Sequence, residues 1–173
     1  MNNDVTSLGD TIKPKSDQLN ADDLITGPIN VTITGVRRGS QDQPVIIDVV
    51  GDETLQPFKP CKTVRRILVT AWGENGNVWV GKSMTLFCDP TVKFGGVALG
   101  GIRVSHLSDI SGPLNMMLTV TRSKRAQHVV NPLVIDHSAV MAKWQEAATQ
   151  EDRDALWPTF TEMQRVAINN ANK

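Results

Sequence analysis

The sequence contains no tyrosine, only two cysteines and only three histidines. Cys61 and Cys88 stand far apart, and the histidines at 106, 128 and 137 do not complete the spacing of a zinc site. We therefore predict no metal centre and no cofactor. Two unclustered cysteines are also typical of a reducing compartment. Without tyrosine, any stacking on a planar ligand depends on four tryptophans and four phenylalanines.

Long apolar runs are missing as well. No stretch approaches the ~20 apolar residues of a membrane-spanning helix. The N-terminus has neither the basic region nor the apolar core of a signal peptide. These absences predict a cytoplasmic protein without a membrane partner.

Charge is balanced over the whole chain, with 18 basic and 18 acidic residues, but it is unevenly spread. Residues 1–28 carry a net charge of −3, residues 29–136 carry +4 and residues 137–173 carry −1. A basic middle between acidic ends favours a polyanionic ligand on the central part of the chain. The alternative is that +4 is unremarkable for a domain of this size.

The most informative stretch of the chain is Thr63–Ser108, which begins with a helical pattern. Apolar residues recur at helical spacing, and Gly73 follows them as a left-handed cap. These apolar residues are Val64, Ile67, Leu68, Ala71 and Trp72.

After Gly73 the apolar period changes to two, which predicts a strand near residues 78–88. The alternation assigns Val80, Met84, Leu86 and Cys88 to the core. It assigns Trp79 and Phe87 to the outer face. Aromatic rings beside lysines and arginines suit single-stranded nucleic acid, because rings stack on bases and cations contact phosphates. Alternatively, a helix covers Trp79.

The order of predicted elements indicates a fold that is mainly β with some α. Short strands, Gly-rich corners and one internal helix fit a small β-barrel of the OB type with a short C-terminal helical tail, and a β-sandwich is the alternative. Strands are expected near residues 29–34, 45–49, 78–88, 101–106 and 115–122, with helices over 61–72 and from Ser138, Thr149 and Pro158. Thr149–Asp152 resembles a capping box. Gly35 indicates a bend or bulge, and the glycines at 95, 96, 100 and 101 indicate tight corners or a hairpin tip. The predicted divisions are a flexible acidic arm (1–23), the barrel (24–125), a linker (126–137) and the tail (138–173).

One motif points elsewhere. Gly76–Ser83 matches the G-x-x-x-x-G-K-S pattern of a phosphate-binding P-loop. That chemistry needs a helix directly behind the lysine and serine, whereas the residues after Ser83 favour a strand. An NTPase or nuclease is therefore the weaker alternative, and we predict that the protein is not an enzyme.

Several blocks resemble a family of small phage- and prophage-encoded proteins found among recombination and replication genes. These blocks are Lys59–Val69, Ala71–Gly73, Val80–Phe87, Val92–Gly96 and Gly100–His106. The resemblance implies a single-stranded DNA-binding protein in the bacterial host cytoplasm. Candidate partners are a recombinase, a nuclease or another replication protein, and a second copy of the chain in a homo-oligomer; the sequence does not determine the oligomeric state. The chain end, Asn-Asn-Ala-Asn-Lys, departs from the acidic tip of the bacterial single-strand binding proteins.

The predicted binding residues form two sets. Aromatics and cations are expected to bind nucleic acid: Lys62, Arg65, Arg66, Trp79, Lys82, Phe87, Lys93, Phe94, Arg103, Arg122, Lys124 and Arg125. In the tail, Trp144, Trp157 and Phe160 are expected to anchor a protein partner, because buried aromatics dominate interfaces. The second set supports the alternative function of an adaptor or inhibitor of a host or phage complex.

Overall fold

The computed structural model describes residues 16–121 and 124–173. Its strands are β1 (Ile29–Arg38), β2 (Val45–Val50), β3 (Ser83–Asp89), β4 (Lys93–Phe94), β5 (Val97–Ala98), β6 (Gly101–Leu107), β7 (Leu114–Thr121) and β8 (Lys124–Pro132). Its α-helices are α1 (Lys62–Trp72), α2 (Ser138–Glu146), α3 (Gln150–Leu156) and α4 (Glu162–Ala171).

One sheet has the strand order β2-β1-β3-β6-β8-β7, and β4 pairs with β5 as a separate hairpin. Within the main sheet only β6 and β8 pair in parallel. The β1–β2 hairpin shifts register between Ile33 and Gly35, which confirms the predicted bulge. The predicted combination of strands and helices is confirmed, but among the described residues the sheet does not close into a barrel.

Helix α1 lies where the apolar period predicted it. Val64, Ile67 and Leu68 are fully buried against the sheet. Trp72 ends the buried stripe, and its indole Nε1–H donates to the Ser108 carbonyl at 2.8 Å. Gly73 follows with φ 86° and ψ 176°, so glycine ends the helix at a positive φ as predicted, but its extended ψ is not that of a left-handed αL cap.

The strand predicted over residues 78–88 begins only at Ser83. Before it, Gly76–Trp79 form a 3₁₀ helix that starts where the Asn75 side chain accepts the Asn77 backbone N–H. Gly81, at φ 87°, then redirects the chain into β3. Because Ser83 opens a strand and not a helix, the P-loop pattern does not adopt a phosphate-binding geometry.

The segment predicted as a linker contains most of β8. This strand pairs antiparallel with β7 and in parallel with β6. Val130 is fully buried, whereas Gln127 and Asn131 face solvent. The alternation is hidden in the sequence because the exposed Val129 stands directly before Val130, and because the half-buried His128 on the core side is polar.

Part of the predicted acidic arm also belongs to the folded domain. Leu19 and Leu24 are buried in the core, and the Leu19 N–H donates to the Pro57 carbonyl at 2.9 Å. A short 3₁₀ helix, Ala21–Leu24, follows a capping box between Asn20 and Asp23. The rest of the predicted arm, residues 1–15, lies outside the described residues.

Short helices form the tail, as predicted. The capping box between Thr149 and Asp152 at the start of α3 is confirmed. Two backbone N–H groups in the first turn of α4 donate to carbonyls after β2: Met163 to Gly51 at 3.0 Å and Glu162 to Asp52 at 3.3 Å. The tail therefore packs on the sheet. No helix in residues 16–121 and 124–173 has the length and apolar character needed to cross a membrane.

Substitutions on α1 test how much stability its buried stripe contributes. Ile67→Ala should lower the free energy of unfolding by about 2–5 kcal/mol, because it leaves a cavity in a fully buried site. Val69→Ala, on the exposed side of the same helix, is the matched control and should change stability by less than about 1 kcal/mol. Urea denaturation measures both, and equal losses would contradict the assigned burial.

Candidate nucleic-acid groove

A groove of about 640 Å³ opens between four segments of the chain. They are the N-terminal segment Gln18–Asp22, the β1–β2 turn at Asp42 and Gln43, the segment Phe58–Lys62 that leads into α1, and the start of β6 at Gly100–Arg103. We call it the cationic groove, after the basic side chains that line it: Lys59, Lys62, Arg65 and Arg103. Asp22 and Asp42 also line it, so the cations outnumber the carboxylates there.

Arg103 is held at one wall of the groove by two neighbours. Its Nη1 donates to the Cys61 Sγ at 3.3 Å, and its Nε lies 3.9 Å from the Asp89 carboxylate. Burial alone would raise the pKa of Asp89. Hydrogen bonds from Thr91 and the charges of Arg103 and His128 together outweigh burial and lower that pKa below its ordinary value. The ionised Asp89 thus fixes the guanidinium.

Phe87 is the strand neighbour of Arg103 and lies beside the groove lining, not in it. It lies directly opposite Arg103 in the antiparallel pairing of β3 and β6, so the two side chains point to the same side of the sheet. Phe87 is half-buried. Part of its ring is therefore available for contact with a ligand.

The first turn of α1 forms the floor of the groove and is electrostatically unusual. It contains Lys62 and Arg65 and no acidic residue, although the positive end of a helix dipole disfavours cations. The N-cap residue, Cys61, makes no side-chain capping hydrogen bond. A helix start with free N–H groups and added cations is suited to an anionic ligand.

Arg65 is half-buried where it lines the groove. Its Nε atom is buried and, like the Nε of Arg153 in the tail, has no hydrogen-bond partner within residues 16–121 and 124–173. A buried N–H without an acceptor costs free energy. Because this Nε is closed off from the surface, Arg65 would act on a ligand in the groove through its positive charge.

A finger formed by β4 and β5 stands at the edge of the groove. Gly95 (φ 56°) and Gly96 (φ 87°) form its two-residue turn, which confirms the hairpin predicted there. Val97 and Leu99 are 59% and 66% exposed, and Leu99 lines the groove. These apolar side chains offer contacts to base faces. The Phe94 side chain lies outside the described residues.

The N-terminal segment lines one side of the groove, and Asp17, just before that lining, contacts one of the groove's cations. The Lys59 Nζ donates to the Asp17 carboxylate at 2.8 Å, and the Gln43 Nε2 donates to the Gln18 side-chain oxygen at 2.9 Å. The hydrogen bond and charge of Lys59 lower the pKa of Asp17. Asp17 therefore remains a carboxylate at neutral pH and contacts Lys59 as a phosphate oxygen would.

The predicted outward orientation of Trp79 is wrong. The side chain is 4% exposed, its Nε1–H donates to the Gly73 carbonyl at 3.0 Å, and its ring centroid lies 6.2 Å from that of Trp72. The 3₁₀ helix turns the residue inward, because residues 76–79 do not follow the strand register used to predict its face. Trp79 is a core residue.

Other predicted cations lie outside the groove lining. The Lys82 Nζ is 3.6 Å from Asp109 and 5.9 Å above the Trp72 ring. Arg66 and Lys93 are exposed on α1 and β4, and Lys124 and Arg125 are exposed at the start of β8. Arg122 falls outside the described residues. The structure thus brings together Lys62, Arg65 and Arg103 from the predicted set.

Lys59 and the apolar finger were missed by sequence reasoning. Lys59 stands between Pro57 and Pro60, and this pair of prolines could have indicated an extended segment held beside the helix start. The finger residues Val97 and Leu99 carried no signal of their own, because apolar residues in a short Gly-flanked strand are expected to face a core.

The tail aromatics contact one another. The Trp144 ring lies 5.5 Å from Trp157 and 6.3 Å from Phe160, and the Arg153 guanidinium stacks at 5.5 Å from the Trp144 ring. Phe160 is 6% exposed, so it is not a free anchor as predicted. Three short helices need a core, and these aromatics supply it. A partner role for the half-buried Trp144 and Trp157 stays a prediction.

Comparison of the chain with protein-family models, with curated proteins and with solved structures finds no match. The resemblance to phage recombination proteins therefore stays a prediction. Over residues 16–121 and 124–173, no group of three histidine, cysteine, aspartate or glutamate side chains is placed to hold a metal ion.

Substitution of Trp79 distinguishes a core residue from a stacking residue. Trp79→Ala should lower the free energy of unfolding by about 3–5 kcal/mol, since it removes a large buried side chain. Trp79→Phe keeps most of the volume and loses the hydrogen bond to Gly73, so it should cost less. Thermal or urea denaturation measures both. A fully stable Trp79→Ala variant would contradict the inward placement.

Proposed function

We propose that this chain is a single-stranded DNA-binding protein whose ligand lies in the cationic groove. The observation that carries the proposal is the convergence of Lys62, Arg65 and Arg103 on one groove at the start of α1. Phosphate oxygens bound there would pair with these cations and accept hydrogen bonds from the N–H groups of the helix start.

The connectivity supports an OB-type fold for the central domain. After β1 and β2, Phe58 forms an antiparallel bridge to Ile47, with both backbone hydrogen bonds at 2.8 Å. We interpret this bridge as a reduced third strand. Helix α1 follows it, and β3 and β6 then correspond to the fourth and fifth strands. The β7–β8 hairpin is an addition at the end of the sheet.

In OB folds, the loop between the first two strands and the loop between the last two border the ligand groove. Here these loops correspond to residues 39–44 and 90–100, and both contribute residues to the cationic groove. A concave groove between loops can enclose one backbone with its bases. Duplex recognition usually inserts a helix or a ribbon into the major groove. This favours a single strand as the ligand.

The chemistry of the groove predicts how the complex behaves. Three cations on phosphates give a log–log salt slope of about −2 for a single strand. Phe87 and the apolar finger add base contacts, and stacked bases contribute ~1–3 kcal/mol each. No side chain in the groove reads a specific base pattern by a buried hydrogen bond, so we expect little sequence preference. Trp72 and Trp79 are buried and should show little quenching by DNA.

A triple substitution tests the location of the site. Replacing Lys62, Arg65 and Arg103 with glutamine should lower the affinity for a labelled oligonucleotide at least tenfold and flatten the salt slope by about 2. The matched control replaces Arg66, Lys124 and Arg125 with glutamine, which removes the same charge outside the groove. We expect the control to change the affinity by a few-fold at most. Fluorescence anisotropy over a series of salt concentrations measures both.

The two triple variants separate the possible outcomes. Equal losses would show non-specific electrostatic attraction, and a larger loss in the control would place the strand on the β7–β8 turn. Either result would contradict the groove. Absence of binding by the unaltered protein at low salt would end the proposal, provided that its circular dichroism shows a folded protein.

Removal of the internal carboxylate should strengthen binding. Asp17→Asn weakens the contact to Lys59 and should raise the affinity for single-stranded DNA several-fold. Because the pKa of Asp17 is lowered, the wild-type contact persists until the pH falls below that value, so the gain should be constant across the neutral range. Asp42→Asn is the matched control for a lost charge in the groove. An equal gain there would contradict a specific role for Asp17.

A further inference from the structure

Strand β7 ends the sheet without the features that usually protect a sheet edge. Its eight residues, Leu114–Thr121, include no charged residue and no proline. Natural edge strands are commonly guarded by lysine, by proline or by a covering segment. The opposite end of the sheet is guarded, because Thr54 and Phe58 form bridges to β2. Within residues 16–121 and 124–173, β7 pairs with β8 alone.

The outer face beside this edge is also uncharged along most of its length. Asn115, Met117 and Thr119 are exposed on β7, and Met117 is 61% exposed. Val129, opposite Asn115 on β8, is 40% exposed. The inner face of β7 packs into the core, where Leu118 is buried. An open edge beside an apolar outer face is suited to strand pairing.

We propose that β7 pairs antiparallel with β7 of a second copy of this chain, so that two sheets join into one. A neutral strand can pair with itself without placing like charges opposite each other. Self-pairing about a two-fold axis also makes a closed, isologous interface. This inference does not depend on the proposed DNA binding.

A two-fold axis perpendicular to the sheet makes the two copies of β7 antiparallel. The cations nearest this edge, Lys124 and Arg125, lie on β8 opposite Thr121 and Thr119 and are exposed. Two β7 strands would separate them from their counterparts in the second copy, at least three interstrand spacings of ~4.8 Å, or about 14 Å. That distance exceeds the Debye length of about 8 Å at physiological salt, so these cations do not oppose the pairing.

The alternation of side chains limits the register. Residues directly opposite in an antiparallel pair point to the same face. In the two registers that centre the pairing on the strand, Met117 therefore lies opposite either Met117 or Thr119 of the second copy. Charges of the same sign at residues 117 and 119 would therefore repel each other across the interface in either register.

Two charge variants test the interface. We expect the wild-type chain, by light scattering, to have twice the 18.9 kDa mass of one chain. Met117→Lys with Thr119→Lys, and Met117→Glu with Thr119→Glu, should each be monomeric. An equimolar mixture of the two should restore the dimer, because opposite charges then face each other. Restoration also shows that both variants are folded.

The matched control moves the charges one strand inward. Gln127 and Val129 lie opposite Met117 and Asn115 on the same outer face, and replacing both with lysine should leave the dimer intact. A monomeric wild-type protein would overturn the proposal, including the case in which residues 1–15 cover the edge. A dimer that survives the lysine pair on β7 would overturn it as well.

Discussion

The packing of α1 on the sheet is the constraint on which the rest of the structure depends. The helix buries Val64, Ile67 and Leu68 completely, and the indole of Trp72 bonds to the chain after β6. Because the buried face and the C-terminal end of α1 are held in place, the N-terminal end of this rigid helix is held in place as well. That end is the start of the helix, where Lys62 and Arg65 line the groove. The core thus positions the cations, and the surface loops only border them.

The start of α1 breaks a local rule of helix stability. Cations stand where the helix dipole favours anions, and no acidic residue compensates them. Rules of this kind are usually broken at functional sites, where a ligand supplies the missing interaction. In the free protein, the chain satisfies part of the groove itself through Asp17 on Lys59. The arrangement suggests exchange between an internal carboxylate and an external phosphate, both of which bind a cation through oxygen.

Periodicity predicted the elements whose two faces differ clearly in polarity. Residue spacing was enough to predict the stripe of α1, the bulge at Gly35 and the β4–β5 turn, because each depends on residues near in sequence. Trp79 was misplaced because a 3₁₀ helix interrupts the apparent alternation. Strand β8 was missed because the exposed Val129 precedes the buried Val130 and the polar His128 lies on the core side, which hides the alternation.

The groove itself could be predicted only in part. Lys62 and Arg65 are neighbours on one helix, so their shared position follows from local sequence. Arg103 joins them through the pairing of β3 with β6, and Lys59 joins through the bridge between Phe58 and Ile47. Such contacts between distant segments cannot be inferred from the spacing of residues in a single sequence. Charge asymmetry indicated a polyanion without indicating where it would bind.

Hydrogen exchange with and without a single-stranded oligonucleotide tests the central claim most directly. The account predicts slower exchange of backbone amides at the start of α1, in the β1–β2 turn at residues 39–44 and in the loop at residues 90–100. It predicts little change in the tail helices. Protection confined to the tail or to the β7–β8 turn, with the start of α1 unchanged, would contradict the account.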